Sequence, residues 1–183
     1  MDLGNIKKKK IHGKKIILRS VKISDVTNNY VEWLKDEEVI QFLELRFTKH
    51  TKDTVKEFVR NIQNDSNFLF LAIIRNDSKK HIGNIKLGPI DWIHQHGDIG
   101  ILIGDKDSLR KGYASDAIKT LTDFVFDELN LHKITAGIYE ENIGSLKAFL
   151  KSGFEIEGLR KEQFRFNGKY VGQIIVGKIN KNQ

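Results

Sequence analysis

Asp98-Ile99-Gly100-Ile101-Leu102-Ile103 opens the stretch that decides the fold, and Lys151-Ser152-Gly153-Phe154 closes it. Between them, a loop at 105–109 leads into Arg110-Lys111-Gly112-Tyr113-Ala114 and a helical pattern running to about Asn130. In that helix Ala114, Ala117, Ile118, Leu121, Phe124 and Val125 fall on one stripe, at helical spacing. A second apolar strand follows from Lys133 to Tyr139, and Asn142-Ile143-Gly144-Ser145 then starts a short helix with Leu146, Phe149 and Leu150 inward. The order is strand, basic glycine turn, helix, strand, capped helix.

The chain outside this stretch predicts short antiparallel units. Lys15 to Arg19 reads as a first strand, and Phe68 to Ile74 with His81 to Leu87 as a hairpin ended by Pro89. Helices are expected after Ser24-Asp25, with Val26, Tyr30, Trp33 and Leu34 inward, and from Asp36, carrying Val39, Ile40, Phe42 and Leu43. A third, near Thr51 or Thr54, turns Val55, Phe58, Val59 and Ile62 inward. Phe154 to Leu159 and Tyr170 to Ile179 form a last pair of strands about an Asn167-Gly168 turn. The fold class is mixed α/β (α+β), with one domain over residues 14–181 and a basic, flexible lead-in over 1–13.

Composition narrows the function. With 183 residues and 39% hydrophobic content, one core is expected. No window has the ~18 consecutive apolar residues of a membrane span. The chain has no cysteine, which excludes disulfides and thiolate chemistry and suits a reducing cytoplasm. The net charge of +7 is uneven, with +5 in residues 1–15 and +2 in the rest. Nucleic acid is therefore a weak candidate partner, through the lysine-rich lead-in alone. His94 and His96 read as loop histidines rather than metal ligands, because no further ligands lie near them.

A helix start offers unpaired N–H groups and the positive end of a dipole. Gly112 and Ala114 let a ligand approach the backbone there, and Arg110 and Lys111 add charge, so the turn suits a phosphate or pyrophosphate. Neither a Walker loop nor a dinucleotide fingerprint is present. Asn142 is a favoured helix cap, and Ser145 lies at the same helix end.

These two segments resemble the GNAT superfamily of acetyl-CoA-dependent N-acetyltransferases, in particular its RimJ/RimL-like branch. The family's pyrophosphate motif, Gln/Arg-x-x-Gly-x-Gly/Ala, corresponds to Leu109-Arg110-Lys111-Gly112-Tyr113-Ala114, with Leu109 as the departure. Its second motif corresponds to Asn142, Ser145 and the Lys151–Phe154 ending. The resemblance covers roughly residues 15–180. It implies a mostly antiparallel sheet whose fourth and fifth strands splay at a β-bulge, with coenzyme A against Ile101, Leu102 and Ile103. It further implies the pyrophosphate at residues 110–114 and the thiol near Asn142 and Ser145. Transfer would be by direct attack of an amine, which needs a base. Asp98 is the first candidate, with Glu44, Glu140 and Glu141 as rivals. Some relatives use a tyrosine acid seven residues after the Asn; that position is Phe149, leaving Ser145 or water held by it.

Relatives build the acceptor pocket where residues 42–50 lie. Glu44 is a candidate for a cationic amine and Arg46 for a phosphate or carboxylate. Trp33 reads as core or as an acceptor contact. Arg46 with His50 and Thr51 hints at a nucleotide-linked amino sugar. The acceptor is expected to be a small-molecule or peptide amine (a protein N-terminus, an amino sugar, a polyamine or a drug), and the chain a monomer or homodimer. A non-catalytic acyl-CoA-binding module is the alternative.

Overall fold

In the computed structural model, residues 3–181 are described. Among them the strands are β1 (Ile11–His12), β2 (Ile16–Ser20), β3 (Leu69–Arg75), β4 (His81–Asp91), β5 (His96–Ile103), β6 (Lys133–Tyr139), β7 (Glu155–Phe166) and β8 (Lys169–Ile179). The helices are α1 (Asn28–Trp33), α2 (Glu37–Ile40), α3 (Lys52–Asn64), α4 (Tyr113–Leu129) and α5 (Ile143–Lys151). One sheet runs β1-β2-β3-β4-β5-β6-β8-β7, and every neighbouring pair is antiparallel except β5 with β6. The mixed, mostly antiparallel architecture is therefore as expected. The expected fourth and fifth strands are β5 and β6, because β1 adds one strand ahead of them.

Alternation along the strands separates two cores. Leu71, Ile73, Ile85 and Ile99 point to the face covered by α4 and α5, where they meet Ile118, Leu121 and Phe149. Ala72 and Ile74 point to the other face and meet Val21, Tyr30, Val31, Trp33, Val55 and Val59 of the α1–α3 layer. The caps are local: Asp36 Oδ1 accepts from Glu38 N and Val39 N, and Thr51 Oγ1 from Thr54 N. Asn167 and Gly168 both have positive φ, as a two-residue hairpin turn requires.

Four expectations need correction. Residues 3–12 lie against the domain rather than standing clear of it as a flexible lead-in would. Leu3 is 2% exposed in the larger core, and the Lys7 ammonium donates to Gln63 O and Asp65 O at the end of α3, where helix carbonyls lack partners. Pro89 does not end β4. The strand continues to Asp91 across an irregularity between Leu87 and Ile90, where the missing proline N–H and Gly88 (φ 129°) leave the ladder. The irregularity thus lies on β4 rather than at the splay itself. Phe58 and Leu150 are exposed rather than inward, 45% and 41%. Finally, α2 stops at Ile40, leaving Phe42 and Leu43 ahead of a 3₁₀ turn over Glu44–Phe47.

Gly104, just past β5, sets how closely β5 approaches α1. A Cβ there would lie 2.1 Å from Trp33 Cδ2, within the buried indole. At Gly100 an added Cβ meets nothing within 4 Å. Gly104→Ala should therefore lower the unfolding free energy by about 1–3 kcal/mol. Gly100→Ala should change it by no more than about 0.5 kcal/mol. Urea unfolding of the two variants checks this, and equal effects would remove the packing account. Leu3→Ala should cost about 2 kcal/mol or more if residues 3–12 belong to the fold. A neutral result in the same assay would return them to a bystander role.

Candidate active site

The site begins where β5 and β6 separate. Their parallel pairing comprises His96↔Lys133, Gly97↔Ile134 and Asp98↔Thr135, and no later pair joins them. β6 stays paired with β8 on its other side as far as Tyr139↔Gln173, and β5 stays paired with β4 as far as Ile103↔Gly83. The β6-facing edge of Ile99 to Ile103 is thus without a strand partner among the described residues. An extended ligand can pair with such an edge. The half-buried Ile101, Leu102 and Ile103 carry it.

The turn after β5 supplies the second element. Arg110 (φ 59°) and Gly112 (φ 81°) are both left-handed, so the chain reverses sharply into α4. Gly112 makes no side-chain cap, which leaves the first-turn N–H groups facing outward. A Cβ on Gly112 would approach nothing closer than 3.7 Å, so the space above the turn is open. Lys15 Nζ donates to Lys111 O at 2.9 Å, and Asp116 in the first turn accepts from Lys14 N and Lys15 N. The start of β2 is thereby tied to the turn. Ala114 is half-buried, and the Arg110 and Lys111 side chains are exposed. Tyr113 offers its backbone only, since its ring is 8% exposed in the core under the Arg75 guanidinium. These residues fit a ligand with an extended arm and a pyrophosphate.

α5 starts just past the end of β6, beyond the last β5–β6 pair. Asn142 Oδ1 accepts from Ser145 N at 3.1 Å, so Asn142 is the helix cap. Ser145 is half-buried in that first turn. Phe149 is 2% exposed and packs edge-to-face on Phe154, 5.0 Å between centroids, and so takes no part in chemistry.

On the α1–α3 face lies a cavity of about 590 Å³ that reaches β5 at Gly100, Ile101 and Leu102. Its walls are largely apolar, from Tyr30, Leu34, Val55 and Phe70, and its charged side chains are Glu44, Lys49 and Lys86. Glu44 Oε1 accepts from the Tyr139 hydroxyl at 2.7 Å, and Arg46 Nη2 donates to the same hydroxyl at 2.9 Å. Tyr139 stacks on Phe164 at 4.0 Å. Burial, and next the bond to Glu44, push its hydroxyl up from the usual phenol range, so it stays protonated.

The structure moves three expected site residues. Asp98 sits on the last β5–β6 pair and accepts from Thr135 Oγ1; it does not line the cavity, whereas its rival Glu44 does. Trp33 is 6% exposed in the core, against Gly104 and His81, so it is packing. Arg46 is held by Tyr139 and the Gln41 carbonyl, between the Phe47 and Tyr139 rings, and does not line the cavity. The sugar-nucleotide hint weakens further because His50 Nε2 bonds Leu45 O and Thr51 caps α3.

Three residues went unnoticed in the sequence: Tyr139, Asn84 and Lys86. Asn84 and Lys86 stand two apart within the apolar middle of β4, a period-two signal that puts both on the cavity face. Burial lowers the Lys86 pKa, with Asp98 partly opposing, and burial likewise lowers that of His81.

Known proteins share this fold. The chain is 25% identical over 177 residues to the probable N-acetyltransferase YjcK of Bacillus subtilis (strain 168), covering 93% of this chain and 97% of that protein. It is 33% identical over 98 residues to a spermidine N(1)-acetyltransferase of Vibrio cholerae serotype O1, covering 54% of this chain and 56% of that protein. Among solved structures, spermidine N-acetyltransferase from Vibrio cholerae in complex with CoA and spermine superposes with a TM-score of 0.80 at 23% identity, covering 91% of this chain and 96% of that one. A ribosomal-protein-S5-alanine acetyltransferase from Vibrio fischeri gives 0.79 at 21% identity, covering 95% and 98%. Residues 15–155 match the acetyltransferase (GNAT) domain, and the chain belongs to that family.

Proposed function

We propose that this chain is an acetyl-CoA-dependent N-acetyltransferase of the RimJ/RimL-like branch that acetylates a small amine in the cytoplasm. The observation that carries this is an open strand edge, Ile99 to Ile103, between the left-handed Gly112 turn and a cavity bearing a carboxylate. Catalysis is favoured over a passive acyl-CoA-binding module because Glu44 reaches that cavity and is oriented by the Tyr139 hydroxyl.

Residues 110–114 would hold the pyrophosphate through backbone N–H groups, and the β5 edge would hold the pantetheine arm. When bound, the cofactor would supply an acetyl thioester for the amine to attack, with its thiol as the leaving group. Glu44 takes the proton that the amine gives up. Tyr139 keeps its own proton and fixes Glu44 through Oε1, leaving Oε2 for the amine. Ser145, or water held by it, would supply the proton that the leaving thiol needs.

Acetyl-CoA should raise the melting temperature of the full chain; no shift at saturating cofactor would end this reading. Gly112→Arg should weaken acetyl-CoA binding by about 10-fold or more, through lost N–H contacts to a charged group. Unchanged affinity in a calorimetric titration would remove the pyrophosphate assignment. Glu44→Gln should lower kcat by about 100-fold or more while leaving acetyl-CoA affinity alone. Full activity with a range of amines would show that another group is the base.

A further inference from the structure

The cavity face of β4 carries two polar residues that the transfer step does not use. Lys86 pairs in register with Gly100 on β5, beside the edge assigned to the donor, and Asn84 pairs with Leu102. Both residues line the cavity. Lys86 is half-buried, with its ammonium 5.5 Å from the Phe68 ring centroid, and it makes no ion pair within 4 Å among the described residues. Asn84 is 3% exposed, and its Nδ2 has no hydrogen-bond partner among the described residues. The amide orientation follows from its neighbour. His81 Nε2 lies 2.9 Å from both Gly83 O and Asn84 Oδ1. A carbonyl can only accept, so Nε2 carries the proton and Asn84 Oδ1 is the end that faces His81. That leaves the amide donor unused.

A buried donor without a partner calls for an oxygen acceptor, and Lys86, which feels the Asp98 charge without forming an ion pair with it, can bind one too. The opposite requirement, a row of acids for a polycation, is not met. Among the described residues, Glu44 is the one acid on a cavity that also carries Lys49, His50 and Lys86. The remaining wall, from Tyr30, Leu34, Val55 and Phe70, is apolar or aromatic. Gly100, with no side chain and open space where a Cβ would stand, keeps the path between Lys86 and the donor edge clear.

We infer that the acceptor is an amine that also carries a carboxylate on an apolar body, of the amino-acid class, with Lys86 and Asn84 binding the carboxylate and Glu44 facing the amine. Polyamines are disfavoured by the same ammonium. This rests on the acetyltransferase reading above and assigns its acceptor.

The test uses matched pairs of acceptors that differ only by the carboxylate: leucine with isopentylamine, phenylalanine with phenethylamine, ε-aminocaproate with pentylamine. Thiol release from acetyl-CoA is followed with the full chain. Within at least one pair, the carboxylate-bearing amine should have a kcat/KM higher by about 30-fold or more, the scale of one buried charge contact. Spermidine should be a poorer acceptor than that amine. Lys86→Met should collapse the gap by raising KM for the carboxylate member alone, with the acetyl-CoA melting shift retained. Lys86→Arg, which keeps the charge, should preserve the preference and covers the case in which the methionine variant does not fold. Preference for spermidine or for a peptide N-terminus, absence of any gap, or a Lys86→Met loss shared equally by both members of the pair would overturn the inference while leaving the acetyltransferase reading in place. Absence of thiol release with every amine, or of any melting shift with acetyl-CoA, would overturn both.

Discussion

The molecule turns on two parallel strands that stop being neighbours. β5 and β6 share three residue pairs and then part, and each is held by its other neighbour, β4 for one and β8 for the other. Backbone N–H and C=O groups inside a sheet are costly to leave unmatched. An open edge in mid-sheet is therefore stable only where water or a ligand can reach it. The separation that would be a defect in a purely structural sheet is what makes a site here. The two ladders that hold the strands apart also keep that site from closing when it is empty.

The two cores divide the work on either side of this opening. The α4 and α5 face carries the Gly112 turn and the Asn142 cap, both helix starts that present backbone N–H groups. The α1–α3 face carries the cavity with Glu44, Asn84 and Lys86. β5 is their common wall, and two of its neighbouring glycines serve opposite ends. Gly104 lets the chain press on Trp33, which fixes β5 against α1, while Gly100 leaves room next to Lys86.

What could be read from the sequence was what depends on near neighbours in the chain. The apolar strand runs, the Gly112 turn, the helix start at Asp36 and the Asn167-Gly168 hairpin are all local, and all appear in the structure. What could not be read depends on distant partners. Leu3 and Lys7 looked like part of a solvated lysine tract because their partners, the sheet core and the end of α3, lie far along the chain. Arg46 looked free to bind an acceptor because Tyr139, which occupies it, is 93 residues away. The helical spacing of Trp33 suited core and ligand contact alike, and only the close approach of Gly104 shows why the indole must be buried. On the candidate site, the half proposed for the donor was legible through its turn and cap. The acceptor half was not, because it is assembled from α1, α3, three strands and an irregular loop.

The choice between Asp98 and Glu44 shows how the sheet geometry decides chemistry. Asp98 stands on the last pair before the strands part, its carboxylate accepting from Thr135 across the two strands and acting on Lys86. Glu44 comes from the irregular loop after α2 and meets Tyr139 at the far end of β6, beyond the parting. The Tyr139 hydroxyl is thus the place where the loop over the cavity is bonded to the strand that borders the parting. Because Tyr139 is buried and stacked on Phe164, that bond has a fixed origin, and Glu44 inherits its position from the sheet rather than from the loop that carries it. A carboxylate that must meet an amine at the donor edge gains most from being anchored to one of the two strands that define the edge.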